Sequence, residues 1–380
     1  MLYAIPYLFF LLFLSLLVCW EFFLKKNNIT NITEIRIVTW IGFLLFFGFR
    51  GFVNTDCLSY YPFFQNLKTI WDGIPYEQIL SGYDWEPGFI TTVYLFKSII
   101  PNYHVWIVIW LIIVLSALDF LFLRCVKYYS LAFLLFFVFG GYGIITNLMR
   151  ASIALCIFLF SIPYLVAGKW KRFICLNVFG CLFHISSLVY ILSYPILRKR
   201  IPIPILISIF VIVLGCNIAG IDFSNVFNFF AQISSFERVT LLVDRYSDTE
   251  ANSLFSIGNL ERFGTYMLVC LFYDKIANET KSNKVFLNAY IIYFVCFYAF
   301  FKIGDVAQRL SGLFIFSYWI LYNKIYQYLM LKSRKTFLFF ILILYSILKT
   351  VSGMSMPCHQ YKNILWENEA FEEATKRITL

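Results

Sequence analysis

Apolar runs recur along the whole chain and are broken at intervals by short basic clusters. The clusters are KKNNITNITEIR (25–36), RCVK (124–127), GKWKR (168–172), RKR (198–200), DKIANETKSNK (274–284) and LKSRK (331–335). Lys and Arg collect in cytoplasmic loops. With all six clusters on that side, each intervening segment leaves the cytoplasm and returns. Spans are then expected near 3–24, 36–50, 103–123, 130–146, 148–167, 201–221, 259–276, 285–302, 308–330 and 336–352, about ten in all, with both ends external. The first apolar run, Tyr3 to Val18, has no basic n-region and no small-residue cleavage site, so it reads as a span rather than a removed signal.

Two segments do not fit a full crossing. PGFITTVYLFKSII (87–100) is short and carries Lys97, which suits an interfacial or re-entrant helix. FICLNVFGCLFHISSLVYILSYPIL (173–197) lies between two basic clusters. It is either one span with a cluster facing outward or a re-entrant hairpin hinged near Gly180 to Ser187, and the charge rule favours the hairpin. The expected fold class is an all-α polytopic membrane protein, one integral membrane domain over 1–380. External loops are expected at 51–102 and 222–258, and an external tail at 353–380.

Composition agrees. Of 380 residues, 61% are hydrophobic and 14% charged, against roughly 25% charged in soluble domains. The net charge of +10 would raise nucleic acid as a partner of a soluble protein, but here the basic clusters orient the chain in a bilayer, and no nucleic-acid partner is expected. Ten cysteines include no CxxC pair, and three dispersed histidines offer no metal set, so neither metal nor cofactor is expected.

The charges outside those clusters carry the chemistry. In this topology Arg50, Asp56, Asp84, Glu86, Arg150, Arg238, Asp244, Arg245, Glu261, Arg262, Asp305 and Arg309 fall at or beyond external helix ends. An Arg at a helix mouth can grip phosphate through its planar fork; it can also snorkel to lipid headgroups or cap a helix. Asp56, six residues after Arg50, and Glu86 in YDWEPGF are candidate general bases. A helix starting in NTDCLSYY could equally take Thr55 or Asp56 as its cap, and Glu86 reads as a first-turn carboxylate ahead of Pro87. His184, in CLFHISSL, is an ionisable group in an apolar segment and so a functional candidate. His104 and His359 have no partner legible in the sequence. Tyr60, Tyr61, Trp71, Tyr76, Tyr83 and Trp85 crowd the same external segment; they suit either sugar faces or an interfacial belt.

These pieces resemble a known family. FRGFVNTDCLSYYPFF, YDWEPGF, NLMRASIALCIFLFSI, GCLFHISSLVYIL, QRLSGLFIFSYWIL and MPCHQYKNI, in that order over residues 45–365, are similar to the EpsG family of Wzy-like bacterial polysaccharide polymerases. The departures are local: Cys57 follows the Asp of TDCLSYY, and NLMRASIA lacks the Gln that often follows the Arg. The resemblance implies a glycosyltransferase on the outer side of the bacterial cytoplasmic membrane. Donor and acceptor would both be oligosaccharide repeats on undecaprenyl pyrophosphate, and the product an O-antigen, capsule or exopolysaccharide, with room for a chain-length regulator as partner. The base would then be sought first at Asp56, then Glu86, then His184. The leaving pyrophosphate would be held by Arg50, Arg150, Arg245, Arg262 and Arg309, and the sugars by Tyr60, Tyr61 and Trp85. An acid after an early span, followed by short interfacial helices, is also reminiscent of GT-C glycosyltransferases. A flippase of lipid-linked sugars, a sugar O-acyltransferase and an O-antigen ligase remain as alternatives.

Overall fold

The computed structural model describes residues 2–221, 256–329, 331–367 and 369–379. The expected all-α class is what it has: among the described residues there is no strand, and one isolated antiparallel bridge joins Arg50 to Asn363. The chain divides into two compact units, residues 1–193 with 326–380, and residues 194–325.

The first unit opens with α1 (Ile5–Lys26) and α2 (Thr33–Phe43), the latter extended by a π-helical turn, Leu44–Gly48. Short helices follow: α3 (Cys57–Asn66), α4 (Tyr76–Ser81) and α5 (Pro87–Ile99). Next come α6 (Tyr103–Cys125), α7 (Tyr129–Phe136), α8 (Tyr142–Thr146), α9 (Met149–Val166), α10 (Trp170–Cys181) and α11 (Ser187–Arg198), the last crossing into the second unit. That unit holds α12 (Ile203–Ile218), α13 (Ile257–Glu279), α14 (Lys281–Ala299), α15 (Gly304–Gly312) and most of α16 (Phe316–Tyr328). The chain then completes the first unit with α17 (Lys332–Gly353) and α18 (Phe371–Thr379).

Among the described residues, five helical segments are long and apolar enough to cross a membrane: Leu2–Lys26, Tyr103–Cys125, Tyr129–Thr146, Met149–Val166 and Lys332–Gly353. The third contains a break at Phe139 and Gly140, where Gly140 takes φ +88°, a conformation open to a residue without Cβ. A dense phenylalanine cluster fills the space between α1, α2 and α7. The Phe10 ring lies within 5.3 Å of Phe43, Phe46, Phe47 and Phe137.

Polar groups fix the two ends of this bundle. At one end the fully buried Glu21 caps α7, its carboxylate accepting from the amides of Tyr129 (2.9 Å) and Ser130 (2.7 Å) while Lys25 pairs with it at 3.0 Å. Arg36 grips Asp119 through two hydrogen bonds of 3.2 and 2.9 Å nearby, and Lys25 also donates to the Lys127 carbonyl. At the other end of α1, Tyr7 donates to the carbonyl of His359 in the tail. The basic clusters around Lys25 and Lys127 and the tail therefore lie at opposite ends of α1.

Two expectations about short segments resolve in this unit. Residues 87–99 form a 13-residue helix, α5, introduced by Glu86 and Pro87. The 173–197 segment folds back on itself. Phe173 of α10 and Tyr190 of α11 both pack on Phe158, at 6.2 and 4.0 Å between centroids. A straight helix would hold residues that far apart in sequence about 25 Å apart. The reversal occupies residues 182–186, and Gly180 lets the Ser187 side chain approach where a Cβ would stand.

Candidate active site

Three loops meet at the tail-facing end of the first unit. The 50–56 loop docks on the α8–α9 turn through two asparagines. Asn54, held at φ +68°, donates to Thr146 Oγ1 at 3.1 Å, and Asn147 Oδ1 accepts the Asp56 amide at 2.9 Å. Asn tolerates this left-handed backbone better than most residues do. The sequence offered Asp56 as a helix cap, but its carboxylate makes no capping bond to α3. Asp56 instead begins the turn whose next ring is Tyr60, the Tyr60 amide donating to the Asp56 carbonyl at 2.9 Å.

Tyr60 leads to Arg150. The Arg150 Nε donates to the Tyr60 hydroxyl at 3.3 Å, its Nη1 to Glu86 Oε2 at 2.5 Å, and its guanidinium lies 4.9 Å from the centre of the Trp85 ring. Trp85 in turn packs on Tyr60 and Phe63 at 5.0 and 4.2 Å. Glu86 sits at the N-cap of α5, but its carboxylate makes no capping bond to that helix. Its second oxygen accepts from the amide of Ile185 at 3.4 Å, in the turn of the α10–α11 hairpin. That turn reaches α5 because residue 88 is glycine. The Gly88 amide donates to the Leu182 carbonyl at 2.8 Å, and a Cβ at 88 would stand 2.7 Å from Leu182 Cβ. His184 therefore lies next to the Glu86 contact, half-buried, with Nδ1 2.7 Å from the Ser186 hydroxyl.

Arg50 lies deeper, 5% exposed. Among the described residues its one side-chain hydrogen bond runs from Nη1 to the Phe47 carbonyl at 2.9 Å. Its guanidinium sits 5.4 Å from the Trp110 ring, and Trp110 Nε1 donates to the Met149 carbonyl and Ser152 hydroxyl at 3.2 and 3.1 Å. One indole thus joins the buried Arg50 to the first turn of α9, where Arg150 stands.

The other expected residues are placed differently. Tyr61 turns away from Arg150 and packs against Phe52, Tyr103 and Phe371 at 4.8, 5.2 and 4.6 Å. Arg262 belongs to the second unit, its guanidinium carbon 3.8 Å from the Phe297 ring centre, and it donates to Tyr293 (3.0 Å) and Asn259 (3.3 Å). Beside it, Glu261 accepts from Thr265 at 2.6 Å and from Tyr318 at 3.4 Å. Arg309 is an exposed residue in the last turn of α15. Arg245, with most of the 222–258 loop, lies outside the described residues. Among the described residues no three His, Cys, Asp or Glu side chains are grouped as a metal site.

The tail is what sequence reasoning missed. His359, which had no visible partner, shares a 2.8 Å hydrogen bond with the Tyr142 hydroxyl, and burial holds its pKa below the ordinary value. MPCHQYKNI carried the signal without the pairing that explains it.

The architecture defines a helical membrane protein with a cation–carboxylate cluster at one end of its larger unit. The chain belongs to the EpsG family, whose model matches residues 35–363, from α2 through the tail segment that pairs with Arg50. Membership makes it a membrane protein of the polysaccharide-polymerase kind. No curated protein and no solved structure matches the chain.

Proposed function

We propose that this protein is a glycosyltransferase that polymerises undecaprenyl-pyrophosphate-linked oligosaccharide repeats into a surface polysaccharide on the outer face of the bacterial cytoplasmic membrane. The observation that carries the reading is the Arg150 cluster: a half-buried guanidinium held between the Glu86 carboxylate, the Tyr60 hydroxyl and the Trp85 ring. An anion grip, an acid and an aromatic wall are the parts the reaction needs.

In that reaction the bond between the donor's anomeric carbon and the pyrophosphate oxygen breaks, and its electron pair leaves with the pyrophosphate. A new bond forms from that carbon to an acceptor hydroxyl oxygen, and the hydroxyl proton passes to a carboxylate. Pyrophosphate is already a good leaving group, so stabilising its charge matters more than protonating it. Arg150 and the buried Arg50, both in the first unit, would hold it. Asp56 is the first candidate base, Glu86 the second and His184 the third. Incoming pyrophosphate competes with Glu86 for Arg150, so its arrival would release a carboxylate beside the reacting centre. Tyr60 and Trp85 offer ring faces to the sugars, while Tyr61 supports the loop from behind.

Orientation follows from the charges. The end bearing Lys25, Arg124 and Lys127 has the cytoplasmic signature, which supports an outward-facing Arg150 cluster. The layout of spans and interfacial helices supports a GT-C-like arrangement by analogy alone. Deleting the gene tests the reaction. Loss of long chains with retention of a single capped repeat supports a polymerase. Retained chain length with loss of attachment points to a ligase, and loss of external repeat units altogether to a flippase.

A further inference from the structure

The π-helical turn that ends α2 leaves three successive carbonyls without a helical partner, as helix C-termini do. Each is taken by a different side chain. Asn363 Nδ2 donates to Leu45 O at 2.8 Å, the Tyr361 hydroxyl to Phe46 O at 2.9 Å, and Arg50 Nη1 to Phe47 O at 2.9 Å. Two of the three caps come from the C-terminal tail, more than 300 residues away in sequence. The tail also brackets Arg50 along the backbone: Ile364 N donates to Phe49 O, and Gly51 N to Lys362 O, both at 2.9 Å. Gly51 makes room for this, since a Cβ there would stand 3.1 Å from Lys362 Cβ.

We infer that Tyr361 and Asn363 are positioning residues that act through Arg50, occupying the carbonyls at the end of α2 so that the guanidinium keeps donors available for the pyrophosphate of the substrate. A guanidinium has five N–H donors, and helix-terminal carbonyls carry partial negative charge. Vacated carbonyls at positions 45 and 46 would compete for those donors and draw Arg50 back onto its own helix. The two tail residues are themselves coupled, Asn363 Nδ2 also donating to the Tyr361 hydroxyl at 2.8 Å, and the Tyr361 ring stacks on Phe46 at 4.2 Å. Tyr361→Phe therefore removes the cap while keeping the stacked ring.

This inference rests on the anion role proposed for Arg50, and the test separates the two. Full-length variants Arg50→Ala, Tyr361→Phe, Asn363→Asp and the double variant Arg50→Ala/Tyr361→Phe are purified in detergent. Affinity for inorganic pyrophosphate is measured by calorimetry, thermal midpoint by unfolding, and polymer length in the deletion strain. Lys362→Ala, whose side chain pairs with Glu367, serves as a tail control. The expected result is about a tenfold loss of pyrophosphate affinity in Tyr361→Phe and in Asn363→Asp. Lys362→Ala should be unchanged, and the double variant no worse than Arg50→Ala. Full affinity in the tail variants beside a weakened Arg50→Ala overturns the positioning role and leaves the Arg50 reading intact. An additive loss in the double variant also overturns it, since the tail then acts independently of Arg50. Normal affinity and normal polymer in Arg50→Ala overturn the anion reading itself. If Tyr361→Phe is not recovered from membranes, the same comparison is made with Asn363→Asp and its double variant.

Discussion

Arg150 and Glu86, 64 residues apart in sequence, meet as a 2.5 Å ion pair where the first turn of α9 faces the start of α5. The pair is one-pronged and only half-buried, and Glu86's other contact is a 3.4 Å bond from a hairpin amide. A carboxylate held this way neutralises the cation until a better anion arrives, whereas a fully enclosed bidentate pair would resist exchange.

Arg150→Ala is expected to lower polymer formation at least about 100-fold with the protein still in the membrane. Arg150→Lys is expected to be impaired as well, because one ammonium cannot serve Tyr60, Glu86 and a phosphate in fixed directions. Polymer ladders read beside membrane immunoblots check both. Full activity of the Lys variant would mean that a bare positive charge suffices.

Asp56→Asn keeps the amide bond to Asn147 and removes the charge. A loss of at least about 100-fold is expected if Asp56 is the base, against about tenfold for Glu86→Gln, measured as initial rates with a lipid-linked repeat. The reverse ranking transfers the base to Glu86.

Gly88→Val would drive a side chain into Leu182, where a Cβ would already stand 2.7 Å from the Leu182 carbonyl oxygen. Destabilisation of about 1–3 kcal/mol is expected, with displacement of the hairpin turn. Thermal unfolding in detergent reads the first, and lowered polymerisation the second. An unchanged midpoint would show that α5 and the hairpin do not touch.

Acid should loosen the tail. Burial depresses the His359 pKa below the ordinary 6.5, so above that value the ring is neutral both docked and undocked. As pH falls through 6.5 the undocked tail binds a proton first, and docking free energy is lost down to the depressed value. The protection factors of residues 357–364, corrected for the intrinsic pH dependence of amide exchange, should fall between pH 7 and pH 5 in the wild type, and the step should vanish in His359→Asn. A flat wild-type profile would exclude this linkage.

How much of this was legible in the sequence depended on range. Helices, the short α5 and the fold-back of 173–197 followed from apolar runs and charge clusters, which are local signals. Arg50, Asp56, Glu86 and Arg150 could be chosen by residue type and by their place at helix mouths. The Arg150–Glu86 pairing could not, because the two lie 64 residues apart and the other Glu86 oxygen is held by a hairpin turn nearly a hundred residues beyond it. The partners of Tyr61 come from three separate segments, Phe52, Tyr103 and Phe371, which no local pattern announces. The tail pairing with Phe49–Asn54 has no periodicity to betray it. Its bonds run through main-chain groups that every residue carries.

The central claim is that Arg150 exchanges Glu86 for the pyrophosphate of a lipid-linked glycan. The most direct measurement is a cryo-electron density of the full chain bound to undecaprenyl pyrophosphate. The account predicts phosphate oxygens about 3 Å from Arg150, with Glu86 released from the ion pair. Pyrophosphate bound elsewhere, with Arg150 still joined to Glu86, would contradict it.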